Sequence, residues 1–479
     1  MIHNRDQLKA VSFLLRPKSI AIIGASSDPR KFSGAFLPNL VAAGFEGKIY
    51  PVNPKRSEIL GFKCYPSVMQ IPEDVDLACL VVPSPAIPEI MEECIKKGVK
   101  TALIITAGFG ETGEEGKRVQ IRIVETATKA GMRICGPNCE GVLSQVTPVD
   151  LTMFSKSVKP LLGEVAIVTQ SGGIGEYLIT HMSERGIGIS HWISSGNEAD
   201  LKLSDYVNYL VQDAHTKVIS LFVEGIRDVE KFKEVASTAI SEKKPIVVFK
   251  IGKSEKARTK AASHTGAVAG SDQIYDAFFR QYGIIRAHSL DEIFEISMAL
   301  AWQPLPKGDG VGVICDSGGM ACLTADAAED VGLRLPNFSE KTLQKLRELL
   351  PEGLTIGNPL DLTALAAPAD IAKSIEIIGK DKQVDAVVVT ITWWSKEILA
   401  EVCEEIIKGM SNLDKPVLLT LAVVSIADPE FRELIRRVTG ERIPLYIAPE
   451  KAVVAMKAMV SYQSFLKEHA RKQMKIGDR

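Results

Sequence analysis

The sequence predicts an α/β protein in which a Rossmann-like domain precedes two flavodoxin-like domains. Three observations carry this prediction. Residues 19 to about 145 alternate short apolar runs with amphipathic stretches, and strands that are apolar throughout need helices on both faces, hence a parallel sheet. Val165-Ala-Ile-Val-Thr-Gln-Ser-Gly-Gly and Val311-Gly-Val-Ile-Cys-Asp-Ser-Gly-Gly both read as strand, tight turn, helix; their serines, Ser171 and Ser317, lie 146 residues apart, and the same offset aligns Gly186 with Gly332. Finally, Lys-Lys-Pro-Ile-Val-Val at 243–248 answers Asp-Lys-Pro-Val-Leu-Leu at 414–419, an offset of 171, so 25 residues are inserted between the two anchor points. The second and third domains are diverged copies of one fold.

The strands of the first domain are Ser19-Ile-Ala-Ile-Ile, Lys48-Ile-Tyr-Pro-Val, Leu77-Ala-Cys-Leu-Val-Val, Thr101-Ala-Leu-Ile-Ile and Met132-Arg-Ile-Cys. The Pro- and Lys-containing stretch Ser155 to Gly163 and the cluster Pro304, Pro306, Gly308 and Gly310 read as linkers, giving domains at 1–145, 146–303 and 304–479. Composition bounds the function. With 57 basic against 59 acidic residues, the chain has no electrostatic footprint for nucleic acid or an anionic membrane. The apolar stretch Val11 to Leu15 is too short for a signal-peptide core, and no run approaches the roughly 18 residues of a membrane span. Eight scattered cysteines form no C-x-x-C pair, and Cys135 and Cys139 read as strand-end packing rather than metal ligands, so no metal site and a cytoplasmic location are expected.

Each Ser-Gly-Gly turn has a chemical reading. A Gly-Gly step at the end of a parallel strand turns the chain sharply and aims the free N–H groups of the next helix outward. With the positive end of the helix dipole, these form an anion site suited to phosphate, here at Ser171, Gly172 and Gly173 and again at Ser317, Gly318 and Gly319.

In the first domain, Gly24-Ala25-Ser26 follows the first strand, where a nucleotide should lie, but the G-x-G-x-x-G spacing fails because positions 26 and 29 are Ser and Pro. Asn53-Pro54-Lys55 stands where an NAD enzyme places an acid for the ribose hydroxyls. A lysine there suits a phosphate, and coenzyme A carries a ribose 3′-phosphate and a pyrophosphate. Lys31, Phe32 and Ser33 are placed beside those anions, and Val82-Pro83-Ser84 and Thr106-Ala107-Gly108 end the next strands at the same crevice. The competing readings are solvated loop charges for Lys31 and Lys55 and a cap on the helix ending near Gly44 for Ser33.

His264 differs from the other six histidines. It lies in Ala261-Ala-Ser-His-Thr-Gly-Ala-Val-Ala-Gly, a run of small residues after a basic stretch. A histidine on such a loop is accessible, as a nucleophile that carries a group between sites must be, and imidazole is largely unprotonated near neutral pH. The competing reading is a surface-loop histidine without a role.

Ser-His-Thr-Gly-Ala around His264 resembles the phosphohistidine segment of the NDP-forming acyl-CoA synthetases, and Gly136-Pro137-Asn138-Cys139-Glu140-Gly141 resembles the Gly-Pro-Asn-Cys-Pro-Gly of succinyl-CoA synthetase α subunits. The resemblance spans nearly the whole chain and is strongest to the α subunit of archaeal-type ADP-forming acetyl-CoA synthetase. It implies the reaction acyl-CoA + ADP + phosphate ⇌ acid + ATP + CoA, a form of substrate-level phosphorylation, with coenzyme A or acyl-CoA, inorganic phosphate and a small organic acid as ligands. It implies that His264 accepts phosphoryl from an acyl phosphate, that Glu224 orients the imidazole, that Asn138 belongs to the coenzyme A site, and that both Ser-Gly-Gly helices clamp one phosphate. An ATP-grasp β subunit holding ADP or ATP and Mg is implied as partner, in an α2β2 assembly. Glu140 departs from the proline of the succinyl enzyme, which puts acyl specificity in question. The third domain has no Ser-His-x-Gly, so one phosphohistidine is expected. Two rivals remain: a CoA-sensing or scaffold protein, opposed by the intact Glu224 and His264, and an NAD-dependent oxidoreductase, opposed by the missing glycines and Lys55.

Overall fold

The computed structural model describes residues 2–153, 159–257, 272–392, 395–410, 413–422 and 428–477, in two compact units. Unit 1 comprises Met1–Glu184 and Gly188–His288, and unit 2 comprises Arg185–Ile187 and Ser289–Arg479.

Unit 1 opens with helix α1 (Ile2–Leu15) and continues through β1 (Ser19–Ile23), α2 (Phe36–Ala43), β2 (Lys48–Val52), the short β3 (Glu58–Ile59) and β4 (Phe62–Lys63), β5 (Leu77–Leu80), α3 (Ile87–Lys97), β6 (Thr101–Ile104), α4 (Glu114–Lys129) and β7 (Arg133–Cys135). The parallel sheet runs β2-β1-β5-β6-β7. Strand β1 shows why its sequence is apolar throughout. Ile20 and Ile22 join the core built with α1 and α2, while Ala21 and Ile23 join the core under α3 and α4. Alternate side chains point to opposite faces, and both faces are covered.

The second sheet of unit 1 adds β8 (Gly141–Ser144), β9 (Val149–Thr152), β10 (Leu162–Thr169), α5 (Gly172–Glu184), β11 (Ile189–Ser194), α6 (Leu203–Gln212), β12 (Val218–Val223), α7 (Val229–Ser241), β13 (Ile246–Lys250), α8 (Asp272–Gln281) and β14 (Ile285–Ala287). Its order is β14-β13-β12-β10-β11-β8-β9, with β8 antiparallel to β11. Strand pairing therefore carries Gly141–Ser144, which lies before position 146, into this sheet. One apolar core includes Leu14 of α1, Ile22 of β1, Val168 of β10 and Tyr206 of α6, which joins the two sheets of unit 1.

Unit 2 contains α9 (Leu290–Trp302), β15 (Val311–Cys315), α10 (Gly318–Asp330), α11 (Glu340–Leu349), β16 (Leu360–Asp361), α12 (Pro368–Gly379), β17 (Ala386–Ile391), α13 (Lys396–Met410), β18 (Val417–Leu421), α14 (Pro429–Gly440), β19 (Leu445–Tyr446) and α15 (Pro449–Gly477). Its parallel sheet runs β16-β15-β17-β18-β19. Helix α9, grouped by sequence with 146–303, is tied into unit 2 through Lys451, which donates to Glu295 at 2.6 Å and to Asp291 at 3.2 Å.

Counting only their parallel strands, all three sheets have the order 2-1-3-4-5. This is the doubly wound flavodoxin-type order, which places a ligand crevice beyond the carboxyl ends of strands 1 and 3. The duplication reappears as topology: β10 to β14 correspond in turn to β15 to β19.

Candidate active site

The crevice of the first sheet is built by close backbone approach. At the end of β1, Gly24 has φ +91°, and a Cβ there would lie 2.3 Å from the Val81 carbonyl oxygen, so only glycine lets the turns after β1 and β5 sit side by side. The Asn53 amide donates to the Ala25 carbonyl at 2.9 Å and its oxygen accepts from the Lys55 N–H at 2.9 Å. This fastens the turn after β2 to the turn after β1, with Pro54, Lys55 and Lys31 exposed beside them. Ser26 accepts from the Asp28 N–H at 3.1 Å. Thr106 donates its hydroxyl to the Val82 carbonyl at 2.6 Å, and Gly108, at φ +108°, passes against Ser84. Ser33 does not cap the following helix: it lies in the short turn Phe32–Gly34, and Ala35, which has no capping side chain, precedes the first residue of α2. The helix does end at Gly44, in the left-handed conformation with φ +84°.

A cavity of about 590 Å³ joins this crevice to the second sheet. Of the residues expected from sequence, Phe32, Ser33, Val82, Pro83, Thr106, Ala107, Asn138, Ser171, Gly172, Gly173 and Glu224 line it. Gly24, Ala25, Ser26, Lys31, Asn53, Pro54, Lys55, Ser84 and Gly108 are not among its lining residues, and Ser317, Gly318 and Gly319 belong to unit 2. His264 lies outside the described residues. The cavity adds Val81, Ile105, Cys139, Met153 and Gln170, which the sequence pattern did not mark as site residues, and Glu140, which it marked only as the departure that bears on acyl specificity.

Ser171 and Glu224 follow β10 and β12, strands 1 and 3 of the second sheet, so the Ser-Gly-Gly turn and the acid flank its switch point. Both Ser-Gly-Gly helices open alike: the Ser171 carbonyl accepts from Gly175 N–H at 3.3 Å and the Ser317 carbonyl from Ala321 N–H at 3.0 Å. The first N–H groups of such a helix have no partner within it.

Gln170 fixes the loop that carries Glu224. Its side-chain oxygen accepts from the backbone N–H of Glu224 at 2.5 Å and of Gly225 at 3.0 Å, and its amide donates to the Gly225 carbonyl and to Glu198, each at 2.8 Å. Glu198, 2% exposed, also accepts from the Ser195 hydroxyl at 2.9 Å. Burial pushes its carboxyl from the ordinary 4.5 up to about 7, against the pull of Gln170, Arg227 and Ser195. An acid whose folded pKa is raised holds its proton while the unfolded chain has lost it, so this contribution to stability declines as pH rises from about 4.5 to about 7. Glu198→Gln should flatten the decline, which amounts to roughly 3 kcal/mol by the linkage relation. Urea unfolding at pH 5 and pH 8 measures it; an unchanged difference between the two pH values would remove Glu198 as its source.

The second copy keeps this device with other residues. Asp316 stands at the place of Gln170 and accepts from the Thr392 N–H at 2.7 Å and the Thr392 hydroxyl at 2.8 Å. Strand register puts Thr392 at the place of Glu224. The third domain thus lacks the acid as well as the Ser-His-x-Gly sequence.

The two cysteines of the Gly136–Gly141 region are buried and bond to backbone: Cys135 to the Ser194 carbonyl at 3.7 Å and Cys139 to the Ile104 carbonyl at 3.4 Å. Among the described residues, no group of three or more His, Cys, Asp or Glu side chains is placed to hold a metal, and no helix is long and apolar enough to cross a membrane.

Three family models match the chain: a CoA binding domain at 18–145, a succinyl-CoA ligase like flavodoxin domain at 162–300 and a Ligase-CoA domain at 311–464. The α subunit of acetate–CoA ligase [ADP-forming] II from Pyrococcus furiosus is 39% identical over 94% of this chain and 97% of its own length. The α subunit of isoenzyme I from the same organism is 38% identical over 96% and 99%. The solved structure of Ca. Korarchaeum cryptofilum dinucleotide-forming acetyl-coenzyme A synthetase 1, in complex with phosphate and ADP, superposes with a TM-score of 0.88 at 34% identity, covering 96% of this chain and 98% of that one. The scaffold and oxidoreductase readings give way to a ligase. With its CoA-binding domain, its duplicated ligase domains and full-length similarity to these subunits, the chain belongs to the family of α subunits of ADP-forming acetate–CoA ligases, the NDP-forming acyl-CoA synthetases.

Proposed function

We propose that this chain catalyses the acyl-transfer half of acyl-CoA + ADP + phosphate ⇌ acid + ATP + CoA, with acetyl-CoA among its substrates. One observation carries the reading: a single cavity runs from the crevice of the first sheet to the Ser171–Gly173 helix start and Glu224. Coenzyme A would lie along Phe32, Ser33, Val82, Pro83, Thr106 and Ala107, with Lys31 and Lys55 near its phosphates and its thioester toward Asn138. Inorganic phosphate held at the helix start attacks the thioester carbonyl carbon; the C–S bond breaks and CoA leaves as a thiolate that takes up a proton. His264 then attacks the phosphorus of the acyl phosphate, the P–O bond breaks and the carboxylate departs. Glu224, its loop fastened by Gln170, would orient the imidazole and balance its positive charge. Domains at 1–145, 146–303 and 304–479, an ATP-grasp β subunit binding ADP and Mg in an α2β2 assembly, and a cytoplasmic location complete the proposal.

Incubating the chain with acetyl-CoA and radiolabelled phosphate should give a protein-bound label that is acid-labile, base-stable and located at His264. Absence of label with acetyl-, propionyl- and butyryl-CoA alike would overturn the reading.

A further inference from the structure

We propose that Glu140 selects the acyl group, favouring neutral acyl chains, especially those ending in a hydroxyl, and excluding those that end in a carboxylate. This rests on the reaction proposed above. If phosphate sits at the start of α5, the thioester carbonyl must come within bonding distance of it, and the acyl chain must occupy the adjoining space. Glu140 borders that space. A Cβ built on Gly172 would lie 2.1 Å from Glu140 Cδ and 2.6 Å from its Oε1, so the carboxyl fills the volume that a side chain at 172 would need. Both residues line the cavity.

The backbone around Glu140 is pinned from two sheets, which limits its retreat. The Asn138 N–H donates to the Thr106 carbonyl at 3.0 Å, with Asn138 in the left-handed region at φ +59°, and the Glu140 N–H donates to the Ser194 hydroxyl at 3.0 Å. Burial and the nearby Glu176 carboxylate raise the pKa of Glu140, and a carboxylate ending the acyl chain would bring a further like charge against these two acids with no helix N–H group of its own to offset it. A hydroxyl can instead donate to the carboxylate or accept from the protonated acid. A proline at this position, as in the succinyl enzyme that the motif resembles, offers neither effect.

The test uses the chain with its partner subunit and three thioesters of equal chain length: butyryl-, 4-hydroxybutyryl- and succinyl-CoA. In the ATP-forming direction, wild-type kcat/KM should be at least about 10-fold lower for succinyl- than for butyryl-CoA, with 4-hydroxybutyryl-CoA at or above butyryl-CoA. Glu140→Gln should raise the succinyl-to-butyryl ratio at least about 10-fold, and Glu140→Asp, which keeps the charge, should preserve the exclusion. A wild-type ratio near one, or a ratio that Glu140→Gln leaves unchanged, overturns the proposal even if the variant is less active overall. Failure of the wild type with all three thioesters and acetyl-CoA would instead overturn the reaction on which the proposal rests.

Discussion

His264→Ala should abolish both the protein-bound phosphate label and net ATP formation, a fall of at least about 10⁴-fold in turnover with CoA binding retained. The size of the effect follows from covalent chemistry. If the phosphoryl group travels on an imidazole nitrogen, no neighbouring group in Ala261-Ala-Ser-His-Thr-Gly can replace it, because serine and threonine hydroxyls are too weakly nucleophilic without a general base. In the proposed reaction acyl phosphate forms without the imidazole, so His264→Ala should still release free CoA from acetyl-CoA in a phosphate-dependent burst. Retention of ATP synthesis would show that phosphoryl passes directly from acyl phosphate to nucleotide. Loss of the burst together with the label would point to a wider role for the histidine. Glu224→Gln should act on the same step more mildly, since it removes the charge but leaves the loop held by Gln170.

If the second Ser-Gly-Gly helix serves the same phosphate, as the resemblance implies, Gly318→Pro should lower phosphorylation of His264 by about 10²–10³-fold, the usual consequence of deleting one preorganised donor to a developing anion. Position 318 is the first residue of α10, where proline suits the backbone and removes only an N–H that has no helical partner. A Cβ at 318 meets only the tip of Asp361, at 3.0 Å, so the substitution leaves packing nearly intact and the thermal midpoint should move by no more than about 4 °C. Gly172→Pro should be at least as damaging, and there the cause is double, because a side chain at 172 also collides with Glu140. The variant at 318 is therefore the cleaner test of whether both copies serve one phosphate. Normal labelling of Gly318→Pro would mean that the second Ser-Gly-Gly helix is dispensable and that the duplicated turn is a relic of the fold.

Much of this molecule is legible in its chain because parallel strands covered on both faces leave an unmistakable pattern. Ser19-Ile-Ala-Ile-Ile is buried at every position, and the Ser-Gly-Gly turns mark the start of equivalent helices in equivalent sheets. Helix α9 was less legible. It is buried without a break from Ile293 to Ala301, so no polar face indicates which neighbour covers it, and Glu295 inside that run makes sense only beside Lys451. For Ser33 the structure removes only the competing reading as a cap, because the intervening turn Phe32–Gly34 moves the helix start beyond it.

The sequence by itself determined the parallel sheets, the duplication, the Ser-Gly-Gly turns, the histidine segment and the resemblance that connects them, because each rests on local periodicity or on a contiguous motif. Only the tertiary structure decided how the site is held. Gln170 reaches Glu224 across 54 residues and Glu198 across 28, Asp316 reaches Thr392 across 76, and Glu140 closes on Gly172. Such contacts have no spacing in the chain to betray them. They arise where the ends of separately folded strands converge, and there a buried polar group must find its partner among whatever side chains the sheet brings near.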